Sequence, residues 1–155
     1  MRMVKIILVV FLVIFSTGVV ASQSIQNLES VASQEDLKNL VDRVYQAPAN
    51  KFLSRSLNGP DGRGFRIVFD HKGKRYTVDH DWHVEGIQVW VRRNKDQKHP
   101  DVFGDKQMTG IVDYGSSNGI KFLSLEESVG DEYQIFWQEE YNQMLSGLQK
   151  ILGKK

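Results

Sequence analysis

The chain has 155 residues, 41% hydrophobic and 25% charged, with 3 prolines and no cysteine. That length and composition suit one globular domain and exclude a disordered chain. Without cysteine there can be no disulfides, thiolate catalysis, Cys-ligated zinc or lipid attachment through an N-terminal Cys.

Arg2 and Lys5 precede an unbroken apolar run, Ile6 to Phe15, and Val19-Val20-Ala21 places small or modest residues before Ser22. This is the order of a secretory signal peptide, positive end first, then an oily core, then a cleavage site. Residues 1–21 are therefore expected to be removed, leaving 22–155 as one domain with 22–32 as a loose lead-in. An uncleaved anchor is the competing reading, but Ile6 to Ala21 is shorter than the ~20 residues a spanning helix needs. Intact mass of the exported protein is expected to lack Met1–Ala21. A mass that retains them would refute cleavage. Of the 20 Lys and Arg and 19 Asp and Glu in the chain, the first 21 residues hold Arg2 and Lys5 and no acid. The remainder is thus one charge to the negative side of neutral, which gives no case for nucleic-acid binding over a broad face. Membrane contact is expected only through the transient signal, and the location is periplasmic or secreted.

In the remaining chain, Ser33-Gln34-Glu35-Asp36 resembles a capping box. Leu37, Leu40, Val41 and Val44 follow at helical spacing, and Ala47-Pro48 ends the pattern. A helix is expected over about 33–46. Residues 49–64, dense in Gly, Pro, Asn and Asp, are expected to be loop.

From Phe65 the period changes to two. Phe65, Ile67 and Phe69 form one strand face, Tyr76 and Val78 with His80 and Trp82 a second, and Ile87, Val89 and Val91 a third. Turns are expected at His71–Lys74 and His83–Gly86. Shorter strands are expected at Val102-Phe103, Ile111–Tyr114 and Ile120–Leu123, with turns at 104–110 and 115–119. Asp131 can cap a last helix carrying Trp137, Tyr141, Leu145, Leu148 and Leu152 on one stripe, with Gly153 at its end. The order of elements predicts an α+β fold: an antiparallel β-meander of five to six strands flanked by an N-terminal and a C-terminal amphipathic helix.

Four groups of residues are candidates for chemistry. Asp79-His80-Asp81-Trp82-His83 is the densest polar cluster, and His80, Asp81 and His83 are the candidate ligands for zinc or a similar ion. On an extended strand His80 and His83 would point to opposite faces, so chelation requires a turn near Asp81. Asp105 to Asp113 resembles a calcium loop of the EF-hand type, with Gly110 at its sixth position. It departs at Gln107, and Ser116 replaces the bidentate Glu. Trp82, Trp90 and Trp137, with Tyr141, could line a sugar or peptide groove; Trp90 should lie opposite the core if Ile87, Val89 and Val91 face it. Lys72, Lys74, Arg75, Arg92, Arg93, Lys95 and Lys98 form basic stretches that read as a solvated edge, or as the seat of a local anionic partner such as acidic glycan or lipid headgroups.

Nucleophile elbows, His-Glu-x-x-His and Walker patterns are missing, and Ser116-Ser117 lacks the strand-to-helix context of an elbow. The reading is an exported, non-enzymatic binding or interaction module. Its partner is an unidentified protein or small ligand of the envelope or extracellular space, and Trp90 and Arg92 are the candidate ligand-binding residues. No cofactor is called for beyond the zinc and calcium candidates. The alternative is a small metal-dependent hydrolase built on the Asp79–His83 segment.

Overall fold

A computed structural model describes residues 32–117, 123–124 and 131–153. The expected signal peptide and lead-in fall outside them, except Ala32, which is buried in the core. Helix α1 spans Gln34–Gln46. The capping box is formed: the Ser33 hydroxyl accepts from the Asp36 amide, and the Asp36 carboxylate accepts from the Ser33 amide at 3.0 Å. These hydrogen bonds hold the Asp36 carboxyl below its ordinary pKa. Ala47 is extended, as a residue before proline must be, and ends the helix. A single 3-10 turn, Ala49–Lys51, leads to the sheet.

Among the described residues seven strands follow: β1 (Ser54–Leu57), β2 (Phe65–His71), β3 (Lys74–His80), β4 (Ile87–Arg92), β5 (Asp101–Asp105), β6 (Tyr114–Ser116) and β7 (Leu123–Ser124). They pair in chain order, every pair antiparallel, as one meander. Helix α2 (Asp131–Leu152) completes the α+β fold. Among the described residues no helix is long and apolar enough to cross a membrane.

Three sequence expectations are corrected. β1 lies inside the stretch read as loop. Its Ser-Arg-Ser-Leu sequence is mostly exposed and carries no apolar alternation; the free edge of β2 supplies the partner that makes it a strand. The strand expected at Ile111–Tyr114 begins only at Tyr114 and continues through Gly115, which was expected to be turn. A Cβ on Gly115 would stand 2.3 Å from the Trp137 ring, so the indole occupies the space a side chain would need. Finally, β3 stops at His80, and Trp82 does not join Tyr76 and Val78. Asp81 adopts φ 46° and turns the chain, its carboxylate accepting from the Gly86 amide at 2.8 Å. Of the strand expected at 120–123, only Leu123 lies within the described residues.

The period-2 pattern assigns the faces. Phe65, Ile67, Phe69, Tyr76, Val78, Ile87, Val89, Val91 and Phe103 are buried in one cluster with Leu37, Leu40 and Val44 of α1 and Trp137, Tyr141, Met144, Leu145 and Leu148 of α2. Polar groups are built into this core. The Glu140 carboxylate receives Lys74 Nζ at 2.5 Å and the Tyr76 hydroxyl at 3.3 Å. Burial, with Glu140 adding to it, drives the Tyr76 hydroxyl well above its ordinary pKa.

Candidate functional site

Residues opposite the core set share the other sheet face: Arg66 on β2, Arg75, Thr77 and Asp79 on β3, Gln88, Trp90 and Arg92 on β4, Val102 and Gly104 on β5, and Tyr114 on β6. The register sets Arg66 beside Asp79, Thr77 beside Trp90, and Arg75 beside Arg92.

A cation–aromatic ladder organises this face. The Arg66 guanidinium makes a bidentate pair with the buried Asp79 carboxylate, 2.7 Å at both contacts. It also lies over two indoles, 5.5 Å from the Trp82 ring centroid and 5.4 Å from that of Trp90. The planar, delocalised guanidinium suits both tasks at once, which an ammonium would not. Farther along, Tyr114 lies against Gly104, where a Cβ would meet the phenol at 2.4 Å. Lys106 Nζ stands 5.3 Å from the Tyr114 ring centroid. Burial, with the Asp113 and Asp79 charges adding to it, pushes the Tyr114 hydroxyl up to about 12, against the pull of a hydrogen bond with Gln88.

Beside the ladder lies a cavity of about 450 Å³, lined by Arg66, Arg75, Thr77, Trp90, Arg92 and Pro100. Its size is within the range of small-molecule sites. Arg66 is neutralised by Asp79. Arg75 is paired with Asp70 through exposed bonds of 2.8 and 3.0 Å. Arg92 is exposed and makes no ion pair among the described residues. Like charges directly opposite on adjacent strands repel, so the Arg75–Arg92 pair is a local electrostatic cost that an anion between them would relieve.

The four candidate groups fare differently. Trp90 and Arg92 come together in this cavity. The metal set does not assemble. His80 lies on the core face, stacked 5.4 Å from Phe65 and edge-on to Tyr45. Burial lowers its pKa, against the pull of Asp81 and Asp42. His83 is exposed and edge-on to Trp82, and the Asp81 carboxylate is committed to the Gly86 amide, with His80 Nε2 only at 3.6 Å. Asp79, on the opposite face, is held by Arg66. Among the described residues no group of three or more metal-ligating side chains exists. The cause is the turn at Asp81, which places His80 and His83 in separate environments.

The calcium-like loop is closed by its own backbone. Asp105 is fully buried, and its carboxylate accepts from the amides of Thr109 at 2.9 Å and Gly110 at 2.8 Å and from the Tyr141 hydroxyl at 3.1 Å. Asp113 accepts from the Lys106 amide at 2.6 Å. The oxygens that would hold an ion thus hold amides. Gln138 of α2 pins the same loop, accepting from the Val112 amide at 2.9 Å and donating to the Gly110 carbonyl at 2.8 Å. Trp137 and Tyr141 are core residues, so the expected aromatic groove reduces to Trp82 and Trp90 on the outer face.

Arg66, Thr77 and Pro100 were not singled out by sequence reasoning as ligand-binding residues. The signal for the first two was present: once Phe65, Ile67, Tyr76 and Val78 face the core, Arg66 and Thr77 share the face of Trp90. Pro100 reaches the cavity from the loop before β5 and had no such signal. Fold and site together define a class: an α+β meander domain with a cationic, tryptophan-walled cavity on its outer sheet face. Comparison with protein-family models, curated proteins and solved structures finds no match to this chain.

Proposed function

We propose that this chain is an exported, non-enzymatic binding module that holds an anionic ligand in the cavity between Trp90 and Arg92. In this reading the two helices close one face of the sheet through their apolar stripes, and the opposite face is the working surface, in the periplasm or outside the cell. The observation that carries the proposal is the Arg75–Arg92 register pair, in which Arg92 has no carboxylate partner among the described residues. The cavity lining supports binding over catalysis. Among the described residues its lining offers guanidinium groups, one hydroxyl and an indole, and the neighbouring Asp70 and Asp79 carboxylates are held by Arg75 and Arg66.

A chemical-shift titration with inorganic phosphate at low salt tests this, following the three tryptophan indole N–H signals. The Trp90 signal is expected to shift, and Arg92→Ala to weaken binding about tenfold through loss of a charge-assisted contact. Lys98→Ala, outside the cavity lining, is the control and should leave affinity unchanged. Equal affinity in the Arg92→Ala and unmodified proteins would remove the site.

A further inference from the structure

The Trp90 cavity is one of two that meet along the Arg75–Arg92 pair. The second, of about 350 Å³, is lined by Gly73, Arg75, Arg92, Asn94 and Lys95, with Asp70 and Lys74 at its wall. Both cavities are lined by Arg75 and Arg92, so the two adjoin along that pair. Taken together as one groove, they run from Trp90 past the two guanidinium groups to Lys95. Trp90 and Arg92 are two residues apart on one strand face, about 7 Å, and Arg75 lies about 5 Å to the side on the neighbouring strand. A single carboxylate or phosphate would fill only part of that length.

The charge along the groove is graded. Arg66 is cancelled by buried Asp79 and Arg75 by exposed Asp70. Arg92 and Lys95 make no ion pair among the described residues. The surplus is therefore two cations at separate stations, preceded by an aromatic wall. A ligand that matches has a ring at one end and spaced negative charges beyond it.

Building on the anion-binding reading, we infer that the ligand is a linear acidic oligosaccharide. One sugar ring lies against Trp90, a carboxylate sits between Arg75 and Arg92, and the next charged unit reaches Asn94 and Lys95. Tryptophan offers a broad apolar surface to the C–H face of a sugar, and arginine pairs bidentately with carboxylates. A membrane surface fits less well. Among the described residues the exposed large hydrophobic ones are Tyr45, Leu53, Leu57 and Ile111, none of which lines either cavity, so Trp90 has no aliphatic neighbour of that kind at the groove to enter the acyl layer with it. The near-neutral total charge argues against a nucleic-acid strand.

Calorimetric titration of the exported chain with galacturonate, its dimer and its tetramer tests this, with tripolyphosphate as a ring-free polyanion. The tetramer is expected to bind at least about tenfold more tightly than the monomer, since its later units act at high effective concentration once the first is seated. Lys95→Ala should erase most of that gain, weakening the tetramer far more than the monomer. Trp90→Ala should weaken every sugar by a larger factor than it weakens tripolyphosphate. If the tetramer binds no better than the monomer, or tripolyphosphate matches the tetramer, the oligosaccharide assignment is overturned while the anion site stands. If none of these anions binds, the anion site itself fails.

Discussion

Replacing Asp105 by alanine is expected to cost the fold about 3–5 kcal/mol, because two backbone amides and the Tyr141 hydroxyl lose a common acceptor in a buried place. The carboxylate joins β5 to the loop that follows and that loop to α2, so its loss loosens three elements together. Tyr141→Phe removes one of the three donors and should cost less, about 1 kcal/mol. A pH dependence accompanies the larger loss. Burial raises the Asp105 pKa above 3.8, against the pull of its hydrogen bonds. The folded state therefore holds the proton more tightly than the unfolded chain. The stability this contributes is full below the unfolded pKa and is lost as pH rises through the folded one. The gap between native and Asp105→Ala proteins in urea denaturation is thus expected to narrow as pH rises above 3.8. A gap that widens over that range contradicts the assignment.

Arg66→Ala should destabilise the protein by about 2–3 kcal/mol, more than Asp79→Ala at about 1 kcal/mol. The inequality follows from exposure. Without Arg66, the carboxylate of Asp79 is stranded at 2% exposure. Without Asp79, the guanidinium, 36% exposed, can turn to water and still rest on two indoles. The first figure is set below that of a fully buried pair because water screens the exposed partner. The double variant should cost less than the sum of the two. Arg66→Ala should also alter tryptophan fluorescence, since the cation between Trp82 and Trp90 is gone. Denaturation curves in which Asp79→Ala is the more damaging change would reverse this account of the ladder.

Much of the architecture was legible in the residues. The capping box at Ser33 and Asp36 and the stop at Ala47-Pro48 are local chemistry, readable without a fold. The alternation from Phe65 through Val91 marked three strands and their core face because the side-chain period of an extended chain is two and one face had to be buried. Trp90 was placed opposite the core on the same ground. The misses have a shared cause. β1 is stabilised by an edge rather than by its own pattern, Gly115 is in a strand because Trp137 needs its missing side chain, and Trp82 leaves the strand face because Asp81 turns the chain. Each depends on a partner far away in sequence or on a single backbone angle.

The candidate site shows the same division. Linear order presented Arg75 and Arg92 as members of two separate basic stretches, and Asp79, His80, Asp81 and His83 as one cluster. Folding reversed both groupings: strand register brought the two arginines side by side, and the turn at Asp81 dispersed the cluster. By itself the sequence determined helix α1, the three long strands from Phe65 to Val91 and their apolar face, since those follow from propensity and periodicity within a few residues. Only the tertiary structure decided which side chains meet. Register and packing act between strands, and a polar residue's partner is whatever the neighbouring strand sets beside it.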